Sequence, residues 1–529
     1  MTKSRTPASA NLQKLAKQRI EREAIRISKI AAAEFARGRD QSDAFRRHTL
    51  GILFDWSKQR IDSRALVALE HLGETWELDK FLMSVANGDI VNSTENRSAQ
   101  HMALREPHTA NSSQAALHFA SIRREFLNFA DSVRDGTIRG FSGDVFTDFV
   151  HIGIGGSHLG PALVCEALTG DYRMRAHFCS NADRRALHEL LQKVSPNRTI
   201  FIVASKSYST HETLENARSV RSWMYERIKP STDITQHFVH ITSKVSLDVG
   251  NERVFLIPET VGGRFSLWSA MGLPVALAIG SANFLDLLKG AYEMDCHVLD
   301  SQLPQNVAAR TALLALWNAN YFGATTHLVL PYDSRLRLLP AYCQQLEMES
   351  NGKSVGIDNK PALQSTSPVV WGGLETDGQH AWHQFLHQGT QNYSADIIAT
   401  LDSLPSTLDQ EIHQWILANA IGQGSVMQKG SGPSTTELYK SIEGNHGSTL
   451  FLLEKLDART LGVLLAMYEH KVAYLGHLWG VNSFDQWGVE EGKRIAGLLS
   501  AALQGTNDRE IDDSTAELVR TIRERLGTR

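Results

Sequence analysis

The chain has 529 residues, with 54 basic against 58 acidic side chains, a net charge of −4 and 42% apolar residues. That length exceeds what one hydrophobic core organises, so two or more domains are expected, and the near-neutral balance offers no electrostatic footprint for nucleic acid or an anionic membrane. No run of about 18 uncharged apolar residues occurs. The opening MTKSRTPASANLQKLAKQRIERE lacks an apolar signal core and carries acidic residues, so the reading is a globular, cytoplasmic protein. The four cysteines, Cys165, Cys179, Cys296 and Cys343, form no CxxC pair and no metal-type spacing, as expected of reduced structural thiols.

The first 110 residues are mostly helical in pattern, with turns such as Asn87-Gly88-Asp89 between amphipathic segments, and read as scaffold. Beyond them, short apolar runs at residues 149–154, 176–180, 199–205, 237–242 and 253–258 alternate with helical stretches. That alternation predicts parallel βαβ units. Later candidate strands lie at residues 326–330 and 394–399 among long helical segments, so the expectation is two α/β domains joined near residues 280 to 290. A glycine, serine and proline cluster at residues 430–434 marks a loop, and the charged tail after Gly505 reads as a terminal helix or arm.

Six segments carry candidate chemistry. The turn Gly153-Ile154-Gly155-Gly156-Ser157-His158-Leu159-Gly160 leaves a strand and opens a predicted helix, where backbone N–H groups favour an anion. His158 breaks the dinucleotide fingerprint and no P-loop lysine follows, so nucleotide binding is weakly supported and a ligand-free tight turn stays open. Ser205-Lys206-Ser207-Tyr208-Ser209-Thr210 surrounds one lysine with hydroxyls ahead of a helix whose Leu214, Ala217, Val220, Met224 and Ile228 are spaced as one apolar face. It describes a phosphate seat more fully than a serine-rich helix cap does.

In ETVGGRFSLWSAMG, residues 259–272, Arg264 follows Gly262 and Gly263 directly after a strand. A guanidinium on backbone without Cβ atoms is suited to meet an anion, although a solvated surface turn fits the stretch too. The helix expected over residues 338–350 stops at Asn351-Gly352 and puts Gln345 and Glu349 on one face. Near that end the helix dipole disfavours a carboxylate, which suits Glu349 to general-base work, while an exposed surface glutamate remains the alternative.

Gly378-Gln379-His380-Ala381-Trp382-His383 offers His380 as an acid or base. His383 and His387 have the spacing of a metal pair but no nearby glutamate or third ligand, and no metal is assigned. In Phe484-Asp485-Gln486-Trp487-Gly488-Val489-Glu490-Glu491-Gly492-Lys493, Gln486 and Lys493 are expected on nearly one helical face, roughly 10 Å apart. A solvated surface lysine is the plain alternative for Lys493.

Jointly, ETVGGRFSLWSAMG, MESNGK, GQHAW and FDQWGVEEGK, with looser matches at GIGGSHLGP and ASKSYSTHET, resemble the glucose-6-phosphate isomerase family over residues 55 to 496. The resemblance implies two three-layer α/β sandwich domains of the sugar-isomerase (SIS) type with predominantly parallel sheets, plus a helical N-terminal region and a C-terminal arm. The corresponding boundaries are residues 1–115 for the helical N-terminal part of the large domain, 116–285 for the small domain, 286–505 for the large domain and 506–529 for the arm. It further implies a homodimer with shared active sites and no cofactor or metal. The implied reaction is the reversible conversion of glucose 6-phosphate to fructose 6-phosphate, through ring opening and a cis-enediolate, in glycolysis and gluconeogenesis.

By position, the resemblance makes Glu349 the proton-shuttling base and His380 the ring-opening histidine supplied by the neighbouring subunit. It places Lys493 near the ring oxygen and leaving hydroxyl, with Gln486 binding substrate beside it. Ser157, Ser205, Lys206, Ser207 and Thr210 fall on phosphate-binding positions, Gly156, Gly263 and Gln345 on substrate contacts, and Glu212 on a glutamate that orients His380. Those loops supply donors enough for the phosphate, which leaves Arg264 for the enediolate charge that arises only during reaction. His158, Ser207, His211 and Leu346 depart from the residues most frequent in the family. An isomerase that also accepts mannose 6-phosphate, or a non-catalytic sugar-phosphate sensor on the same fold, are the competing readings.

Overall fold

The residue pattern at Ile52, Phe54 and Trp56, buried in alternation with half-exposed neighbours, is that of a strand with one face on a core. These residues lie in β2 (Ile52–Lys58), which pairs antiparallel with β1 (Arg46–Thr49). The expectation of a mostly helical N-terminal scaffold therefore needs this hairpin added. Its turn places Leu50 and Gly51 at φ 53° and 76°; two successive positive φ values are usually announced by Asn-Gly or Gly-Gly, and Leu-Gly hides the signal. The computed structural model describes residues 7–37, 43–109, 112–168, 173–229, 231–402, 404, 406–431, 436–505 and 511–527. Gly432, Pro433 and Ser434 of the expected loop, and residues 506–510 of the charged tail, lie outside them.

The chain divides into two units, Met1–Ser483 and Phe484–Arg529. In the first, the five expected middle strands form as β3 (Asp148–Ile152), β4 (Arg175–Cys179), β5 (Thr199–Ala204), β6 (Phe238–Thr242) and β7 (Arg253–Leu256). They make one all-parallel sheet in the order β4-β3-β5-β6-β7. β3, β5 and β6 are buried throughout, as parallel strands covered by helices on both faces must be. Val150, Phe201, Val203 and Phe238 pack with Ala217, Val220 and Met224 of the helix His211–Tyr225. Leu214 is only half-buried on that expected face, and Ile228 lies past the helix end.

A second sheet of the same unit has the order β1-β2-β11-β10-β8-β9, with β8 (Thr326–Pro331), β9 (Val369–Gly372), β10 (Tyr393–Thr400) and β11 (Gly447–Leu453). Its β9-β8-β10-β11 core is parallel, and β2 joins β11 antiparallel. Residues from near both ends of the first unit thus complete one sheet. Against these elements lies the helix Ala458–Trp479, buried on every face. Its run Tyr468, Glu469, His470 and Lys471 is polar yet almost fully buried, so each charge needs a partner. Lys471 meets Glu347 at 3.2 Å and Asp396 at 3.8 Å, and His470 meets Asp295 at 2.7 Å. Burial lifts the Asp295 and Glu469 carboxyls to about 7, with Arg105 opposing the shift in both.

The second unit contains a 3-10 turn at Trp487–Val489 and the helices Glu490–Leu503 and Asp513–Leu526. No described helix is long and apolar enough to cross a membrane.

Candidate active site

In the five-stranded sheet the chain starts at β3, moves out to β4 and returns to β5 on the other side of β3. The loops after β3 and β5 therefore diverge at a topological switch point, where open α/β sheets collect ligands at the carboxyl ends of their strands. These are the two loops with the candidate anion-binding residues: residues 153–160 follow β3, and residues 205–210 follow β5. Gly155 has φ 58°, and a Cβ there would lie 3.1 Å from Nε2 of Gln345. At Gly156 a Cβ would collide with the Gly263 carbonyl and approach the Arg264 nitrogen to 2.6 Å. The glycines of two distant motifs permit backbone to lie directly on backbone, which brings the β3 turn, Arg264 and Gln345 together.

Arg264 sits in the 3-10 segment Gly263–Trp268 and is 4% exposed. Its Nε donates to Ser350 Oγ at 2.6 Å and its Nη2 to the Ser483 carbonyl at 2.5 Å, while Nη1 lies 3.7 Å from Glu349 Oε2. Ser350 is itself buried, and Asn351 Oδ1 accepts from Ser483 Oγ at 2.7 Å. Two sides of the planar guanidinium are thereby held by neutral oxygens, so its orientation toward Glu349 is set before any ligand arrives. The helix carrying Gln345 and Glu349 runs Leu339–Asn351, as the Asn351-Gly352 stop predicts. Besides the helix dipole, Glu349 therefore meets a facing cation supplied by a distant segment. Ser350 and Ser483, which hold it, were not singled out, although Ser350 lies inside the MESNGK motif.

Lys206 is drawn into the same region. Its ammonium donates to the carbonyls of Glu259 at 2.9 Å and Val261 at 2.7 Å, which fastens the loop leading into Arg264. Burial, reinforced by nearby Arg97, lowers its pKa to about 8. An ammonium has three N–H donors, so one remains beyond these two carbonyls. Ser205 and Thr210 share a 3.0 Å hydrogen bond, and Ser207 is exposed. Thr210 precedes the helix His211–Tyr225 without capping it by its side chain, which leaves first-turn N–H groups as anion donors. His151, neutral because burial lowers it to about 4, donates from Nε2 to the Ser157 carbonyl at 2.6 Å and steadies the glycine turn. The N-terminal segment read as scaffold also reaches here: Gln100 N donates to the Thr260 carbonyl, and Thr260 Oγ1 donates to Gln100 Oε1 at 2.9 Å.

Other expected residues are placed differently. His380 is exposed on the short helix Asp377–Ala381, and no hydrogen bond joins it to half-buried Glu212 among the described residues. His383 does have a glutamate beside it, contrary to the spacing argument: Glu375 Oε1 lies 3.2 Å from its Nε2. Gln423 Oε1 lies within hydrogen-bond distance of both His383 Nδ1 and His387 Nε2. Gln486 and Lys493 belong to the second unit. Gln486, at φ −154° and ψ 50°, precedes the 3-10 turn rather than sharing a helical face with Lys493. Lys493 is exposed and pairs with Glu490 at 2.8 Å within its own helix.

The family profile described as phosphoglucose isomerase matches residues 55–519. Glucose-6-phosphate isomerase 1 of Chromohalobacter salexigens is 41% identical over 485 residues, covering 90% of this chain and 88% of that protein. The glucose-6-phosphate isomerase of Dechloromonas aromatica is 40% identical over 508 residues, covering 92% and 95% respectively. A crystal structure of a glucose-6-phosphate isomerase from Chlamydia trachomatis superposes with a TM-score of 0.85 at 30% identity, covering 97% of this chain and 98% of that one. With a full-length fold match, relatives near 40% identity and a matched profile over most of its length, this chain belongs to the phosphoglucose isomerase family.

Proposed function

We propose that this chain is an aldose-ketose isomerase that interconverts glucose 6-phosphate and fructose 6-phosphate in the cytoplasm, within glycolysis and gluconeogenesis. The observation that carries the reading is the buried Arg264 guanidinium held 3.7 Å from Glu349, beside two loops of one sheet edge that offer hydroxyl and N–H donors. In this reading Ser157, Ser205, Ser207, Thr210 and the remaining Lys206 donor hold the phosphate, while Gly156, Gly263 and Gln345 line the sugar. Glu349 removes the proton from carbon 2 and returns it at carbon 1, and Arg264 stabilises the enediolate oxygen between those two steps. Lys493 and His380 serve ring opening, with Gln486 binding substrate beside the lysine.

The working form in this reading is a homodimer with shared active sites. The exposure of His380 supports a histidine that completes the partner's site. Purified enzyme should convert glucose 6-phosphate to fructose 6-phosphate and sediment as a dimer. Equal turnover of mannose 6-phosphate would favour the broader isomerase, and binding without turnover the sensor; full activity in a monomer would refute the shared site.

Lys206 gives a pH prediction. Its charge is present below about pH 8 and lost above it, so kcat/KM for the sugar phosphate should decline on the alkaline side with that inflection. Lys206→Ala should remove the inflection and raise KM more than it lowers kcat. A parent profile flat through pH 8 would remove Lys206 from the phosphate site.

A further inference from the structure

Glu469 has no place in the motifs above, yet its fully buried carboxylate ties together the elements that carry Arg264 and Glu349. Its Oε2 accepts from Arg105 Nη2 at 2.6 Å, and its Oε1 accepts from the Trp268 indole N–H at 2.8 Å and the Tyr342 hydroxyl at 3.4 Å. Trp268 closes the same 3-10 segment in which Arg264 stands. Tyr342 precedes Glu349 by two turns of the helix Leu339–Asn351 and so lies along the same side of it. The helix that bears Glu469 grips that second element again on either side of the base: Lys471 pairs with Glu347 at 3.2 Å, and Asn351 Nδ2 donates to the Val472 carbonyl at 2.9 Å.

Apolar side chains of similar volume fill such an interior at least as stably as a buried ion pair does. What they lack is the ability to fix the rotation of an indole and a phenol with one group. We propose that Glu469 is a positioning residue for the isomerisation: through Trp268 and Tyr342 it holds the two elements in the register that sets the guanidinium against the base. The inference rests on the isomerase reading of the Arg264 and Glu349 pair. Its energetic logic is that a displacement of about 1 Å at reacting groups costs roughly a hundredfold in rate, whereas loops binding the phosphate are untouched.

The test uses the full-length enzyme with glucose 6-phosphate. Glu469→Gln should lower kcat by about ten- to a hundredfold with KM within about twofold of the parent. Trp268→Phe and Tyr342→Phe, each cutting one tie, should lower kcat by about three- to tenfold, and neither loss should add in full to that of Glu469→Gln. Tyr474→Phe, on the same helix as Glu469, removes the buried hydrogen bond donated by Asn306 Nδ2 from another element and is the structural control. It should lower the melting temperature and leave kcat unchanged. Unchanged kcat in Glu469→Gln, full additivity in the double variants, or a kcat loss in Tyr474→Phe matching its loss of stability would each overturn the proposal. Should Glu469→Gln fail to fold, unchanged kcat in both phenylalanine variants overturns it instead. A parent enzyme that does not isomerise the sugar refutes the functional reading, a result distinct from all of these.

Discussion

Glu349→Gln should bind sugar phosphate as the parent does, with KM within about threefold, yet lose turnover by roughly a thousandfold, the middle of the range for a general base. The amide keeps the shape of the side chain and an oxygen toward Arg264 Nη1, which lies 3.7 Å from the native carboxylate. It removes only proton acceptance. The decisive measurement is incorporation of solvent deuterium at carbon 2 of recovered glucose 6-phosphate. Exchange should vanish with turnover in the variant; exchange at the parent rate would assign the base elsewhere. Since Ser350 and Arg264 stay bonded to each other at 2.6 Å, the melting temperature should move little. That separates lost chemistry from lost structure.

Arg264→Lys should lower kcat by roughly a hundred- to a thousandfold while KM changes by less than about threefold. The guanidinium uses Nε and Nη2 to fix itself on Ser350 Oγ and the Ser483 carbonyl, which leaves Nη1 facing Glu349. An ammonium is a compact point charge without a planar fork. It can satisfy one of those oxygens or face the enediolate, but it cannot do both in the same geometry. If Arg264 instead gripped the phosphate in the ground state, the substitution would raise KM in proportion to its effect on kcat/KM. Steady-state kinetics on the two variants therefore distinguish a transition-state cation from a phosphate clamp.

In the five-stranded sheet β3, β5 and β6 were legible because each is a short run buried on both faces, such as residues 199–204. The helix over Leu339–Asn351 was legible from its Asn-Gly stop. The β1/β2 hairpin escaped notice because Leu50 adopts a positive φ that its type does not advertise. The Lys206 loop read as an open phosphate seat, whereas the chain also uses that ammonium to hold the Glu259 and Val261 carbonyls. Gln486 and Lys493 looked like one helical face because a helix was extended one turn too far back, across Trp487–Val489.

Residue type and local order alone determined which groups this protein has to offer: hydroxyls and a lysine ahead of a helix, an arginine after two glycines, a glutamate before a helix stop. They also carried the family resemblance. Tertiary structure alone decided which of these meet and how each is oriented. Arg264 finds its oxygens 86 and 219 positions away, separations that local periodicity, which describes only neighbours along one helix or strand, has no means to encode. The physical reason is that such contacts arise from sheet order and from the close approach that Gly156 permits against Gly263. Both are properties of the packed chain rather than of any segment of it.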